Sequence, residues 1–281
     1  MSAQRPRERG AALIVVLWGV ALIAAAIIAI GATSRSESLI GRNALENARA
    51  RHAAEAGIQL ALHRLLASPR GTQRFDGTPT SWQVGTTTVA LAIQDEEGKI
   101  DLNAASFELI AGVLRGVGLG PDTALPTACR IVARRGYYDP QCLDGDRARP
   151  TVEPGLLVAV EEARRLLGVS DAFYRRLAPL VTVFSGSSAV DPRVAPREVL
   201  LAVPALSTGF VDSWLGRRAL TDDLGELRDR RYFAISTGRT FAISAHAATA
   251  GGGGHRAEMV VRLTYRPEQP FAVLAWREPA G

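Results

Sequence analysis

The sequence predicts an α+β fold: one long N-terminal helix packs on an antiparallel sheet, and a large helical insertion interrupts that sheet. Three observations predict it. From Thr33 to Ala67 there is no proline, glycine occurs only at Gly41 and Gly57, and the segment continues an uncharged apolar run that starts at Ala11. Residues 82–94 and 231–281 carry strand-like alternation. Residues 95–230 between them read as short helices punctuated by glycine and proline.

The N-terminal element divides into three parts. Residues 1–10, MSAQRPRERG, are polar and basic. Ala11–Ala32 holds 22 residues without a charge, which as a helix spans roughly 33 Å, the thickness of a hydrocarbon core. Positive charge before this span places the N-terminus in the cytoplasm and the rest across the membrane. A secretory signal has a shorter apolar core, and Ala29-Ile30-Gly31-Ala32 is a poor cleavage site. Residues 33–67 form an amphipathic helix in which Ala54, Ile58, Ala61, Leu62 and Leu65 line one stripe. The helix is expected to end near Ser68-Pro69.

After a linker with Pro69, Gly71, Gly77 and Pro79, Trp82–Val84 and Thr86–Gln94 read as a hairpin around Gly85. Helices are expected at Ala105–Arg115, Asp122–Arg135, Glu153–Leu167, Asp171–Leu180, Pro196–Val203, Ser207–Ala219 and Thr221–Arg228. Strands are expected at Tyr232–Thr237, Thr240–Ala248, Arg256–Arg266 and Phe271–Arg277, with the four glycines at 251–254 as a turn. The stripe at 54–65 and the sheet bury each other, since neither can cover its apolar face alone.

An internal repeat lies inside the insertion. Residues 98–113 align with 188–203 at an offset of ninety, matching Asp101 with Asp191, Ala105 with Ala195, Glu108 with Glu198 and Val113 with Val203. Asn103 or Asp101 can cap a helix starting near Ala105, and Pro196 suits a first helical turn.

Composition excludes several classes. With 47% hydrophobic and 22% charged residues the chain can bury a core. Two cysteines exclude a disulfide-dense scaffold. Four histidines without an HExxH pair leave little for a zinc hydrolase. Neither Asp222-Asp223 nor Glu161-Glu162 forms a catalytic constellation, and there is no G-x-S-x-G elbow, so no catalytic residue is assigned. The net charge of +5 is almost wholly arginine, Lys99 being the only lysine. Cys129 and Cys142, thirteen apart, would lie outside the cytoplasm, where a disulfide is allowed; spacing leaves the pairing open. His52, His63, His246 and His255 read as structural.

A basic leader ending in glycine, about twenty apolar residues and a continuous amphipathic helix resemble the type IV pilin and pseudopilin class. The resemblance implies cleavage by prepilin peptidase between Gly10 and Ala11, with N-methylation of Ala11. The class usually carries glutamate where this chain has Val15. That carboxylate neutralises the buried amine of a neighbouring subunit, so its lack suits a subunit with no neighbour beyond it, at a filament tip.

The repeat, with Leu114–Gly120 as its glycine-rich turn, resembles helix-hairpin-helix modules, which elsewhere bind DNA backbone. This keeps open a membrane-anchored DNA receptor of the competence type. Pro204-Ala205-Leu206 replaces the glycines in the second copy, and Glu96, Glu97, Asp101 and Glu108 surround the first, so nucleic acid is not the favoured partner.

The run Asp95–Asn103, D-x-x-G-K-I-D-L-N, resembles the start of the helical region of minor pseudopilin K of type II secretion systems, the general secretion pathway protein K family. The resemblance covers most of the chain. It implies a pilin-like helix on an antiparallel sheet with a helix-hairpin-helix (SAM-like) insertion. It also implies a tip role in starting and capping the pseudopilus, in the bacterial inner membrane with a periplasmic C-terminal domain. The partners it implies are minor pseudopilins I and J, other pseudopilins, prepilin peptidase and the inner-membrane secretion platform; a minor type IV pilin is the nearer alternative. Calcium sites occur in that family and match no particular position here. Asp139, Asp144 and Asp146 could supply oxygens to such a cation or form a plain acidic turn.

Overall fold

A computed structural model describes residues 8–67, 74–136, 142, 154–218, 220, 224–227 and 231–278. The chain begins with α1 (Glu8–Ala67). Then follow β1 (Thr80–Val84), β2 (Thr87–Asp95), β3 (Ile100–Asp101), α2 (Phe107–Gly116) and α3 (Pro121–Arg134). After these come α4 (Val160–Leu167), α5 (Asp171–Leu177), β4 (Val181–Thr182), α6 (Arg197–Ala202) and α7 (Thr208–Arg217). The last elements are β5 (Thr240–Ala248), β6 (Gly254–Arg266) and β7 (Gln269–Arg277).

At 60 residues, α1 is about 90 Å long. It ends at Ala67, two residues before Pro69, where the helical conformation is disfavoured. The main sheet has the order β1-β2-β5-β6-β7, every neighbouring pair antiparallel. Because β2 pairs with β5, everything from 96 to 239 leaves and re-enters between two adjacent strands. The helical block is thus an insertion into the sheet.

Two cores result. In the first, Ala50, Ala53, Ala54, Ile58, Ala61, Leu62 and Leu65 of α1 face Val89, Leu91, Ile243, Ala245, Met259 and Val261 of the sheet. The small residues on the helix let it lie close. A Cβ added at Gly57 would stand 2.8 Å from Leu91 Cδ2 and 3.0 Å from Val89 Cγ1. The glycine turn before β6 reaches the same helix, since a Cβ at Gly253 would stand 2.5 Å from the Glu46 carbonyl. These glycines serve a close approach beyond simply making a turn. The second core lies within the helical block, around Leu109, Ile110, Leu114, Ile131, Leu177 and Leu200.

Several elements differ from expectation, each for a physical reason. Tyr232–Thr237 is not a strand. Phe233 forms an isolated parallel bridge with Val190, and the N–H groups of Ser236 and Thr237 go to carboxylates instead of a ladder. The helix expected over Glu153–Leu167 begins only at Val160, because the N–H and C=O of Leu157 pair with the amide side chain of Asn103 at 2.9 Å each. That use of Asn103 removes it as a helix cap. Asp101 caps the turn at 102–105 rather than α2, whose N-cap is Ser106. Of Thr221–Arg228, the described residues 224–227 include a 3₁₀ turn at Gly225–Leu227, and the rest lies outside the described residues. Helix α5 stops at Leu177, and Ala178–Leu180 tightens to 3₁₀ as Pro179 ends the run. The parallel pair β3–β4 was not anticipated, since two residues are too few for an alternation signal.

Candidate functional site

Two features project function beyond the packed cores. The first is the N-terminal half of α1. It extends past the sheet, and among its described side chains Leu13, Val15, Trp18 and Ile28 are 65–72% exposed. Gly10 and Ala11 lie within α1, whereas residues 1–7 of the expected leader lie outside the described residues. Among the described residues no helix is long and apolar enough to cross a membrane. Described side chains in that stretch run from 12 to 28, fewer than the expected span Ala11–Ala32.

The second feature is the helical block and its seat on the sheet. The offset-ninety repeat is physical. The Asp101 carboxylate accepts from Asn103 N–H at 2.7 Å, and that of Asp191 accepts from Arg193 N–H at 2.9 Å. The Asp101 carbonyl accepts from the Ala104 and Ala105 N–H groups at 3.2 and 2.8 Å. The Asp191 carbonyl accepts from Val194 and Ala195 at 3.2 and 2.9 Å. Then α2 starts at 107 and α6 at 197. The two helices cross where Gly112 meets its own counterpart, Ala202; a Cβ on Gly112 would stand 1.9 Å from the Ala202 carbonyl oxygen. Sequence reasoning aligned the repeat but did not see that its two copies face each other at this pair.

Polar bonds attach the block to the sheet. Gln94 Nε2 donates to the Val194 carbonyl at 3.0 Å, and Arg262 Nη2 to that of Phe184 at 2.6 Å. Arg277 bridges Glu161 of α4 at 2.9 Å and Glu258 of β6 at 2.7 Å. Tyr174 packs into the same cluster, and burial, followed by the Glu161 charge, pushes its hydroxyl up to about 12. Glu162 accepts from Val158 N–H. Both carboxylates of the Glu161-Glu162 pair thus have partners within the described residues, while Asp222-Asp223 lies outside them.

Cys129 and Cys142 are joined in a disulfide with Cα atoms 5.5 Å apart, tying α3 to the segment that follows it. Replacing both with serine is expected to cost about 3 kcal/mol on the loop-entropy account, read as a lower denaturation midpoint of the full chain. Asp139, Asp144 and Asp146 lie outside the described residues. Among the described residues no group of three or more histidine, cysteine or acidic side chains is placed to hold a metal ion. His52, His63 and His246 are exposed. His255 Nε2 stands 3.9 Å from Glu278.

No protein-family model and no curated protein matches the sequence. Among solved structures, the chain is similar to one in the crystal structure of the GspK–GspI–GspJ complex from the enterotoxigenic Escherichia coli type 2 secretion system. The TM-score is 0.54 at 17% identity, covering 89% of this chain and 100% of that one. The α+β fold with its inserted helical block is thus a fold found in that complex.

Proposed function

We propose that the chain is a minor pseudopilin of the K type, seated at the tip of a type II secretion pseudopilus. There it starts and caps the filament and so supports protein export across the outer membrane. The role is assembly rather than turnover. The observation that carries the reading is the helical block inserted between β2 and β5 behind a single long helix, in a fold similar to one of the GspK–GspI–GspJ complex over 89% of the chain. By the same reading, minor pseudopilins I and J are the partners.

The exposed apolar half of α1 then has two successive environments. In the inner membrane, Ala11–Ala32 is the single span, with the N-terminus cytoplasmic and the folded domain periplasmic. In the filament, the same side chains pack against neighbouring helices. Gly19 has nothing within 4 Å of where its Cβ would be, leaving room for another backbone. Val15 in place of glutamate fits a subunit with no neighbour above it. The block's bulk would stand in the way of a further subunit there.

The N-terminal mass of the protein from cells with active prepilin peptidase tests the reading. A chain starting at N-methylated Ala11, recovered together with I and J pseudopilins, is the expected result. An intact Met1 or Ser2 terminus would reduce Ala11–Ala32 to a plain anchor and overturn it.

A further inference from the structure

The chain returns from the helical block to the sheet through residues 234–238, and this segment is held by carboxylates. Ser236 Oγ donates to Asp95 at 2.6 Å, and Ser236 N–H to Asp191 at 2.8 Å. Thr237 N–H donates to Glu97 at 3.0 Å, and its hydroxyl donates to the same carboxylate. Gly238 N–H closes back on Ser236 Oγ at 2.9 Å. The three acids come from the end of β2, the 3₁₀ turn after it and the second copy of the repeat, and they are 5%, 7% and 1% exposed.

Charged side chains from several elements surround the three. Arg193 grips Asp191 through Nε and Nη2, at 3.0 and 2.6 Å. Lys99 turns the other way, onto Glu96, which also receives the Thr182 hydroxyl. On the side of the 74–77 segment, Asp76 sits against Arg218 at 3.2 Å, and Arg74 donates to the Arg218 carbonyl. Arg239, next along the chain, is exposed. Among the described residues, three buried carboxylates converge beside the Arg193 guanidinium, and the Glu97 and Asp191 charges both disfavour a third negative charge at Asp95 in this low-dielectric site.

We propose that Asp95, Glu97 and Asp191 form a proton-operated latch: a proton held at Asp95 keeps 236–238 closed and the helical block seated on the sheet, and loss of that proton loosens the seat. Asp95 suits the part because its partner is a hydroxyl. A protonated carboxyl can donate to Ser236 Oγ and keeps the bond, whereas the ionised one adds buried charge beside Glu97 and Asp191, so closure is tighter in the neutral state. Burial pushes its carboxyl up to about 7, against the pull of its bonds from Ser236 and Glu97.

The direction follows. The closed state binds the proton more tightly than a solvated aspartate, whose ordinary value is 3.8. Its stabilisation is therefore complete below that value and is lost as pH rises through about 7. If opening exposes Asp95 to water, the open fraction rises about tenfold between pH 6 and pH 8.

Hydrogen exchange of the Ser236, Thr237 and Gly238 amides in the full chain in detergent micelles, corrected for the intrinsic effect of pH, reads this directly. Protection is expected to fall about tenfold from pH 6 to pH 8, to stay level in Asp95→Asn, and to leave the β6 amides unchanged. A level wild type, an equal fall in Asp95→Asn, or a matching fall in β6 would overturn the latch. Should Asp95→Asn not fold, the carboxyl carbon shift of Asp95 in the wild type decides. A titration midpoint near 7 upholds the proposal, and one below 5 overturns it.

Discussion

Gly112→Ala is expected to destabilise the helical block by about 3 kcal/mol or more, at the upper end of what overpacking costs. The added methyl would meet the Ala202 carbonyl oxygen at 1.9 Å. That neighbour is backbone, fixed by α6, so no side chain can swing aside. Relief requires α2 and α6 to separate, and separation opens the shared core at Ile110, Leu114, Val199 and Leu200. Gly116→Ala, four residues on in the same helix, is the matched control. Nothing lies within 4 Å of its Cβ position, and alanine there should be neutral or gain up to about 1 kcal/mol of helix propensity. Urea denaturation of both full-length variants measures the difference. Equal midpoints would mean that the helices do not cross as closely as described.

This crossing illustrates what the sequence could and could not convey. Period and punctuation are local properties, so the stripe at 54–65, the strands at 240–248 and 256–266 and the helix starts at 121, 171 and 208 were legible within a residue or two. The repeat was also legible, because it is written as residue identity at a fixed offset. The face that Gly112 and Ala202 share was not, since a glycine chosen for another helix's carbonyl looks like any weak helix residue. The segment 232–237 misled for a related reason. Its Phe-Ala-Ile alternation is that of a strand, yet its donors are claimed by acids 45 to 141 residues away. Asn103 was read as a cap and instead pairs with the backbone of Leu157, 54 residues on. Long-range polar partners leave no periodic trace. The exposed apolar half of α1 was the reverse case. Composition alone announced it, and its described large side chains between 12 and 28 stay exposed beside the packed domain.

The second large effect is expected at the repeat's matched aspartates, which should respond unequally to the same change. Asp191→Ala is expected to cost about 3–5 kcal/mol, as when one partner of a buried ion pair is removed. It would break the buried ion pair with Arg193, whose side chain is only 18% exposed, and remove the acceptor of the Ser236 and Arg193 N–H groups. Asp101 is buried to the same degree. Its bonding partners are the neutral donors Asn103 N–H, Gly186 N–H and Ser185 Oγ. Burial pushes its carboxyl above the ordinary range despite those bonds, so removing the charge relieves part of the cost of holding it there. Asp101→Asn is therefore expected to cost about 1 kcal/mol, one neutral hydrogen bond, and Asp191→Asn about 3, for the loss of a buried ion pair. The raised carboxyl also sets a sign. Wild-type stability from Asp101 is lost as pH rises, the asparagine is indifferent, and the gap between them should narrow toward alkaline pH. Denaturation midpoints of the two asparagine variants at acidic and alkaline pH test both statements. Equal losses at the two positions would show that Arg193 does not depend on Asp191, and that the two copies are equivalent in energy as well as in form.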